Sequence, residues 1–303
     1  MDTITQFCPA KINLFLAITG RRDDGFHELV SVVAPLAWGD TLEVDPAADG
    51  KFTLDCDDPA VPRGEDNLIL QAARAFATAS GWRGGARFTL TKRVPMGAGL
   101  GGGSSDAVGA LRALNELAGA PLEREALAAL AARVGSDCPL FLYDGPVVMR
   151  GRGERIDPLS DAGVARLRDR SLLVFKPAFG IGTVWSYQQL AASAPGSYLP
   201  SADAEERLAI WQADASASAE ALGFNSLERP AFAKFVALPV MLAKLQREHG
   251  LNARMSGSGS ACFAWLSPEA DAEAIRSTIR AGWGDTAMVQ MTTVRTKSAA
   301  NPH

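Results

Sequence analysis

An α+β fold in two lobes is what this sequence predicts. Strand patterns come in runs and also alternate with helical ones, so no strict βα repeat governs the order. A polar, turn-containing junction at 158–170 divides the two sets. The 303 residues can build one large domain or two of ordinary size, with a sizeable core in either case.

Residues 3–19 read as a strand with Leu14, Phe15, Leu16 and Ile18 apolar. Asp23-Asp24-Gly25 turns the chain into a second strand at 28–36. Further strands at 41–44 and 51–56 extend a mostly antiparallel region. An alanine-rich helix over 67–79 carries Leu68, Ala72, Ala75 and Phe76 on one side. The segment 87–94 alternates apolar and polar residues, which suits an antiparallel strand with one wet face.

The next eleven residues, 95–105, include five glycines. Ordering so many glycines is entropically costly, so their retention implies positive φ or close approach to a ligand. Ser104 and Ser105 supply hydroxyls at the expected N-cap of a helix that runs through Leu111 and Leu114 to Gly119. Free N–H groups and the positive end of the helix dipole complete an anion cradle suited to phosphates. Gly97, Gly99 and Gly102 satisfy the dinucleotide fingerprint, but the preceding strand alternates and no acidic residue ends a second apolar strand about 20 residues on. The lysine-containing P-loop signature is also missing. A second helix spans 122–134 and stops at Gly135, a strand follows at 141–149, and Gly151-Arg152-Gly153 turns.

Beyond the junction come a strand at 171–175, a Ser/Ala/Pro-rich excursion at 192–204, and helices at 227–235 and 239–248. A strand, glycine-rich turn and strand occupy 252–265, followed by a helix at 269–281, a strand at 287–294 and a polar tail.

Apolar residues make up 47% and charged residues 21%, a globular balance. A net charge of −4 with interspersed signs carries no nucleic-acid footprint. Cys8, Cys56, Cys138 and Cys262 lack paired spacing and read as buried thiols in a reducing compartment. Lys11 and Asn13 interrupt the first apolar run, so no signal peptide is expected, and no stretch is long enough to span a membrane. A cytoplasmic protein, monomeric or weakly dimeric, is the expectation.

Three features remain open on residues alone. Lys11 within a strand is either a snorkelling edge residue or a cation set against a phosphate. Asp137 before Pro139 is either a helix start or a general base. The stretch 254–261 is either a hairpin turn or a second small-residue loop.

Together these stretches resemble the three-motif pattern of the GHMP kinases: Pro9-Ala-Lys-Ile-Asn-Leu14, the 95–105 loop, and Ser256-Gly-Ser-Gly-Ser-Ala261. Asp24-Gly-Phe-His27, Asp66-Asn-Leu-Ile69 and Gly135-Ser-Asp-Cys-Pro139 narrow the resemblance to the branch acting on a cytidine-diphosphate-linked methylerythritol. The resemblance implies an N-terminal ribosomal-protein-S5-domain-2-like lobe at 1–160, a C-terminal ferredoxin-like lobe at 161–296, and a flexible tail at 297–303. It implies ATP with Mg²⁺, a catalytic Lys11–Asp137 pair, and Ser105 or Asp137 as candidate Mg²⁺ contacts. ATP phosphates would lie on Pro95, Met96, Gly97, Ala98, Gly99, Leu100, Gly101, Gly102, Gly103, Ser104 and Ser105, with Asn67 and Leu68 bordering adenine. Asn13, Phe26, His27, Thr183 and Tyr187 would meet the substrate, His27 at the cytosine edge and Tyr187 stacking on it. Phe26 stands where the family often has tyrosine, and Cys138 where valine is common. A homoserine- or mevalonate-type kinase and a silent nucleotide-binding protein are the alternatives.

Overall fold

The computed structural model describes residues 2–296; the tail expected at 297–303 lies outside them. The chain opens with two long strands, β1 (Ile4–Arg21) and β2 (His27–Ala47). The sequence suggested two separate strands where β2 runs unbroken. Gly39 explains the continuity: a side chain there would overlap the carbonyl of Cys8, so its absence admits the neighbouring backbone.

Residue contacts divide the chain into two units, and each is discontinuous. The first comprises residues 2–10, Trp38–Met96 and Gly101–Tyr143. It holds β3 (Phe52–Cys56), α1 (Leu68–Ser80), β4 (Gly85–Thr91), α2 (Gly102–Leu117), α3 (Arg124–Val134) and a 3₁₀ turn at Cys138–Leu142. Strand β4 pairs in parallel with β3, from Phe52–Ala86 to Cys56–Leu90, and antiparallel with β2, from Thr41–Thr91 to Ala47–Gly85. Its inward residues Phe88 and Leu90 are fully buried, as the alternation requires. Helix α1 begins where Asn67 accepts the Ile69 N–H at 2.9 Å and ends at Gly81 with φ 70°. Its apolar stripe, centred on Ile69, Ala72 and Phe76, packs toward α2.

The second unit comprises Lys11–Ala37, Gly97–Leu100 and residues 144–296. Its elements are β5 (Val147–Gly151), β6 (Arg155–Pro158), α4 (Asp161–Leu167), β7 (Ser171–Lys176), α5 (Thr183–Ala192), α6 (Ser201–Ala213), β8 (Phe224–Asn225), α7 (Glu228–Lys234), α8 (Ala237–His249), β9 (Arg254–Met255), β10 (Cys262–Trp265), α9 (Ala272–Trp283) and β11 (Met288–Thr293). Strand β5 pairs antiparallel with residues 29–33 of β2 and with β6, and β8 pairs in parallel with β1 through Phe15–Phe224 and Leu16–Asn225. A separate antiparallel sheet runs in the order β11-β7-β10-β9. Phe175, Leu173, Leu238, Leu245 and Ile279 join its face to the helices in one apolar core.

Three local expectations change. The 158–170 junction contains α4, whose N-cap Ser160 accepts the Gly163 N–H at 3.3 Å. The apolar run from Cys138 to Leu142 is a buried 3₁₀ turn, and strand begins only at Val147. The 192–204 excursion is brief, because α6 starts at Ser201. Among the described residues no helix is long and apolar enough to cross a membrane. All four cysteines are free and buried.

Candidate active site

Within the second unit, three stretches far apart in sequence meet at Lys11. This lysine lies in β1, is only 5% exposed, and donates from Nζ to Asn13 Oδ1 at 2.7 Å. Asn13 in turn donates from Nδ2 to Ser31 Oγ at 3.0 Å, and Ser31 donates to the Phe15 carbonyl at 2.6 Å. The backbone N–H of Lys11 donates to the Leu100 carbonyl at 2.9 Å, which fastens the glycine loop to β1. Ser256 Oγ accepts the Asn13 N–H and donates to the Gly99 carbonyl, both at 3.2 Å. The Ala261 N–H donates to the Ala98 carbonyl at 3.0 Å. The stretch 254–261 is therefore a loop that holds both β1 and the glycine segment, rather than a bare hairpin turn.

Backbone geometry explains the glycines. Gly97, Gly99 and Gly101 have φ of 62°, 76° and 71°, a region that side chains enter only with strain. At Gly99 a Cβ would also overlap the Ser256 carbonyl and lie 3.0 Å from the Gly259 nitrogen.

In the first unit the loop leads into α2. The N-cap is Gly101, without a side-chain cap; Ser104 and Ser105, expected at the cap, lie inside the first turn. A left-handed glycine starts the helix one turn earlier, which frees both hydroxyls for other partners. Ser105 Oγ is buried and without a hydrogen-bond partner. A buried hydroxyl of this kind carries an uncompensated desolvation cost until a ligand or water meets it. Leu68 lies beside this turn, since a Cβ on Gly103 would come 3.7 Å from Leu68 Cδ1. Asn67 spends its side chain on the α1 cap and on the Pro62 carbonyl, at 2.7 Å.

Asp137 sits in the same unit, half-buried, immediately ahead of the 3₁₀ turn, and its carboxylate does not cap that turn. Its neighbour Cys138 is hydrogen-bonded to Ser104, which joins this segment to the first turn of α2. Burial pushes the Cys138 thiol up to about 12, against the weaker pull of that bond, so it stays protonated and inert. Lys11 and Asp137 belong to different units.

The substrate-side candidates lie in the second unit. The His27 ring meets Tyr187 at 5.0 Å between centroids, and His27 Nε2 is buried without a partner. Burial and then the nearby Arg21 charge lower its pKa, which favours neutral imidazole. Thr183, at the start of α5, shares a 3.0 Å hydrogen bond with Ser258. Phe26 is 49% exposed, with the Arg152 guanidinium 5.1 Å over its ring.

The sequence reading missed a buried ionic cluster beneath the start of α2. Lys92 Nζ donates to Asp40 Oδ2 and Asp106 Oδ2, each at 2.6 Å, and Asp40 Oδ1 accepts the N–H groups of Arg93 and Val94. The backbone entering the glycine loop is thereby fixed. Burial raises the Asp106 carboxyl to about 8, Lys92 opposing that rise and the Asp40 charge adding to it, so Asp106 holds a proton more readily than an exposed carboxylate would. The one available signal was Lys92, a charge where the alternation along 87–94 requires an apolar residue.

Comparison with known proteins places these features in a class. The family models GHMP kinases N terminal domain and GHMP kinases C terminal match residues 67–145 and 205–285 respectively. A relative from Methylacidiphilum infernorum (isolate V4), named 4-diphosphocytidyl-2-C-methyl-D-erythritol kinase, is 38% identical over 268 residues, covering 88% of this chain and 87% of its own. A relative of the same name from Methylibium petroleiphilum is 42% identical over 256 residues, covering 84% and 82%. A crystal structure of a 4-(cytidine 5'-diphospho)-2C-methyl-D-erythritol kinase superposes with a TM-score of 0.74 at 36% identity, covering 96% of this chain and 99% of that one. The chain belongs to the 4-diphosphocytidyl-2-C-methyl-D-erythritol kinase family of GHMP kinases.

Proposed function

We propose that the chain transfers the γ-phosphoryl group of ATP to the 2-hydroxyl of 4-diphosphocytidyl-2-C-methyl-D-erythritol, giving the 2-phosphate and ADP in non-mevalonate isoprenoid precursor synthesis. Family membership supports the reaction class. The observation that carries the site assignment is the convergence of Lys11, Asn13, Gly99 and Ser256 in one hydrogen-bonded network.

Phosphoryl transfer needs in-line positioning and neutralisation of spreading charge more than covalent chemistry. In this reading residues 95–105 cradle the triphosphate through backbone N–H groups and the α2 N-terminus. Leu68 borders the adenine, with the cap residue Asn67 beside it. Asp137 accepts the proton of the 2-hydroxyl, and Lys11 orients the reacting groups and offsets the charge that develops. Mg²⁺, when bound with the nucleotide, supplies further neutralisation. The unpartnered Ser105 hydroxyl suits it, and Asp137 is the second candidate contact. Neutral His27 has an open ring nitrogen for the cytosine edge, with Tyr187 and Phe26 as stacking surfaces. Asn13 and Thr183 complete the substrate side.

The lobes at 1–160 and 161–296, a cytoplasmic site of action, and a monomer or weak homodimer belong to the same proposal. ADP release measured with the cytidine-bearing alcohol, homoserine and mevalonate tests it. Turnover confined to the cytidine-bearing alcohol is expected; preference for a bare alcohol, or none for any, overturns it.

A further inference from the structure

The chain at Phe224–Asn225 and the residues just after it had no functional assignment from sequence, yet it holds the third loop of the site from behind. Asn225 is 5% exposed. Its Nδ2 donates to the carbonyls of Met255 and Gly257, both at 2.8 Å, and its Oδ1 accepts the Leu227 N–H at 2.9 Å. Both donor hydrogens and the acceptor are in use. The amide therefore has one satisfactory orientation, because the flipped form would set oxygen against two carbonyls.

Two neighbours reinforce the clamp. Glu228 Oε1 accepts the Met255 N–H at 2.8 Å, and its Oε2 meets Arg254 at 2.8 Å. Met255 is thus fixed at both backbone ends, by Glu228 at its nitrogen and Asn225 at its oxygen. Ser226 Oγ accepts the Ile18 N–H at 3.0 Å, and the Ser226 N–H donates to the Leu16 carbonyl at 2.9 Å. The clamp itself is therefore anchored to β1, the strand that carries Lys11.

What the clamp positions is specific. Gly257 has φ 57°, and a Cβ on it would lie 3.1 Å from Asn13 Oδ1 and 3.4 Å from Lys11 Nζ. The backbone at Gly257 is one wall of the space around the lysine ammonium. A shift of a few tenths of an ångström there changes where the ammonium can sit. Asn225 Nδ2 holds the carbonyl of that residue at 2.8 Å.

We infer that Asn225 is a positioning residue for phosphoryl transfer, acting through Gly257 on Lys11. This rests on the role proposed above for Lys11. Replacing the amide NH₂ by a carboxylate oxygen removes two donors and sets the new oxygen against two carbonyls, in nearly the same volume. Loss of two hydrogen bonds at a site-shaping loop corresponds to roughly a 10- to 100-fold fall in turnover.

The test is a double-mutant cycle of Asn225→Asp with Lys11→Met, measuring turnover per folded molecule by ADP release, with the folded fraction taken from unfolding curves. Asn225→Asp is expected to slow the wild-type background about 10- to 100-fold and to change the Lys11→Met background little. Equal factors in the two backgrounds would show a general structural effect and overturn the inference. Unchanged turnover per folded molecule would overturn it as well. If the aspartate variant does not fold, Asn225→Ser is read by the same two criteria. Failure of the kinase reading itself is separately visible, since the unmodified protein would then release no ADP with the cytidine-bearing alcohol.

Discussion

Two glycines in the same loop, both with positive φ, give a quantitative check on the site geometry. At Gly97, with φ 62°, a Cβ meets nothing within 4 Å; at Gly99, with φ 76°, it overlaps the Ser256 carbonyl and approaches the Gly259 nitrogen to 3.0 Å. Gly97→Ala therefore bears only the left-handed cost of about 1–2 kcal/mol. Gly99→Ala bears the same cost plus the strain of forcing backbone apart, about 1–3 kcal/mol more. The displaced group is main chain, which cannot relax by changing rotamer. It is also tied into the site, because Ser256 Oγ holds both Gly99 and Asn13. Equilibrium unfolding of the two variants in denaturant measures the difference. Gly99→Ala is expected to be the less stable of the two by about 1–3 kcal/mol. Equal stabilities, or a less stable Gly97→Ala, would refute the packing of the glycine loop against the 256–260 loop.

Other consequences are open to direct measurement. Asp137→Ala is expected to slow turnover on the order of 10²- to 10⁴-fold with little change in the unfolding midpoint; near-full activity would remove its role as base. Lys92→Met leaves Asp40 and Asp106 buried without their cation, and a destabilisation of about 3–5 kcal/mol is expected at alkaline pH, where Asp106 is charged. Because the Asp106 carboxyl is raised to about 8, the loss should be largest above that pH and smaller below it, and a pH-independent loss under about 1 kcal/mol would contradict the cluster's ionic character. Because burial lowers the His27 pKa below its ordinary 6.5, the unfolded chain binds that proton more readily. Stability should thus fall as pH drops from about 6.5 through the folded value. His27→Gln should remove that part of the acid sensitivity, and unfolding curves of identical pH dependence would show that His27 does not contribute.

Much of the fold was legible because its signals are local. Asn67 starts α1 as a side-chain cap, and alternation along 87–94 gave the buried face of β4 and its antiparallel pairing with β2, but not its parallel pairing with β3. Where signals conflicted, the sequence misled. Gly39 resembles a turn residue but serves a close strand approach, and the apolar run at 138–142 carries no period that separates strand from a buried 3₁₀ turn. Two of the three motifs, 95–105 and 256–261, were legible in the site because their glycine and serine density is itself unusual. Asp40 with Lys92, and Asn225 with Gly257, are partners 52 and 32 residues apart that no local pattern connects. Their pairing exists only once the chain has folded. Ser105 stood out in sequence as a helix cap, whereas its value to the site comes from being left free by a glycine cap.

A crystal structure with an unreactive ATP analogue and the cytidine-bearing alcohol bound together tests the central claim most directly. The account predicts the triphosphate along Gly97 to Ser105, the acceptor hydroxyl within hydrogen-bond reach of Asp137 and Lys11, and cytosine beside His27 and Tyr187. A triphosphate bound elsewhere, or an acceptor hydroxyl out of reach of both Lys11 and Asp137, would contradict it.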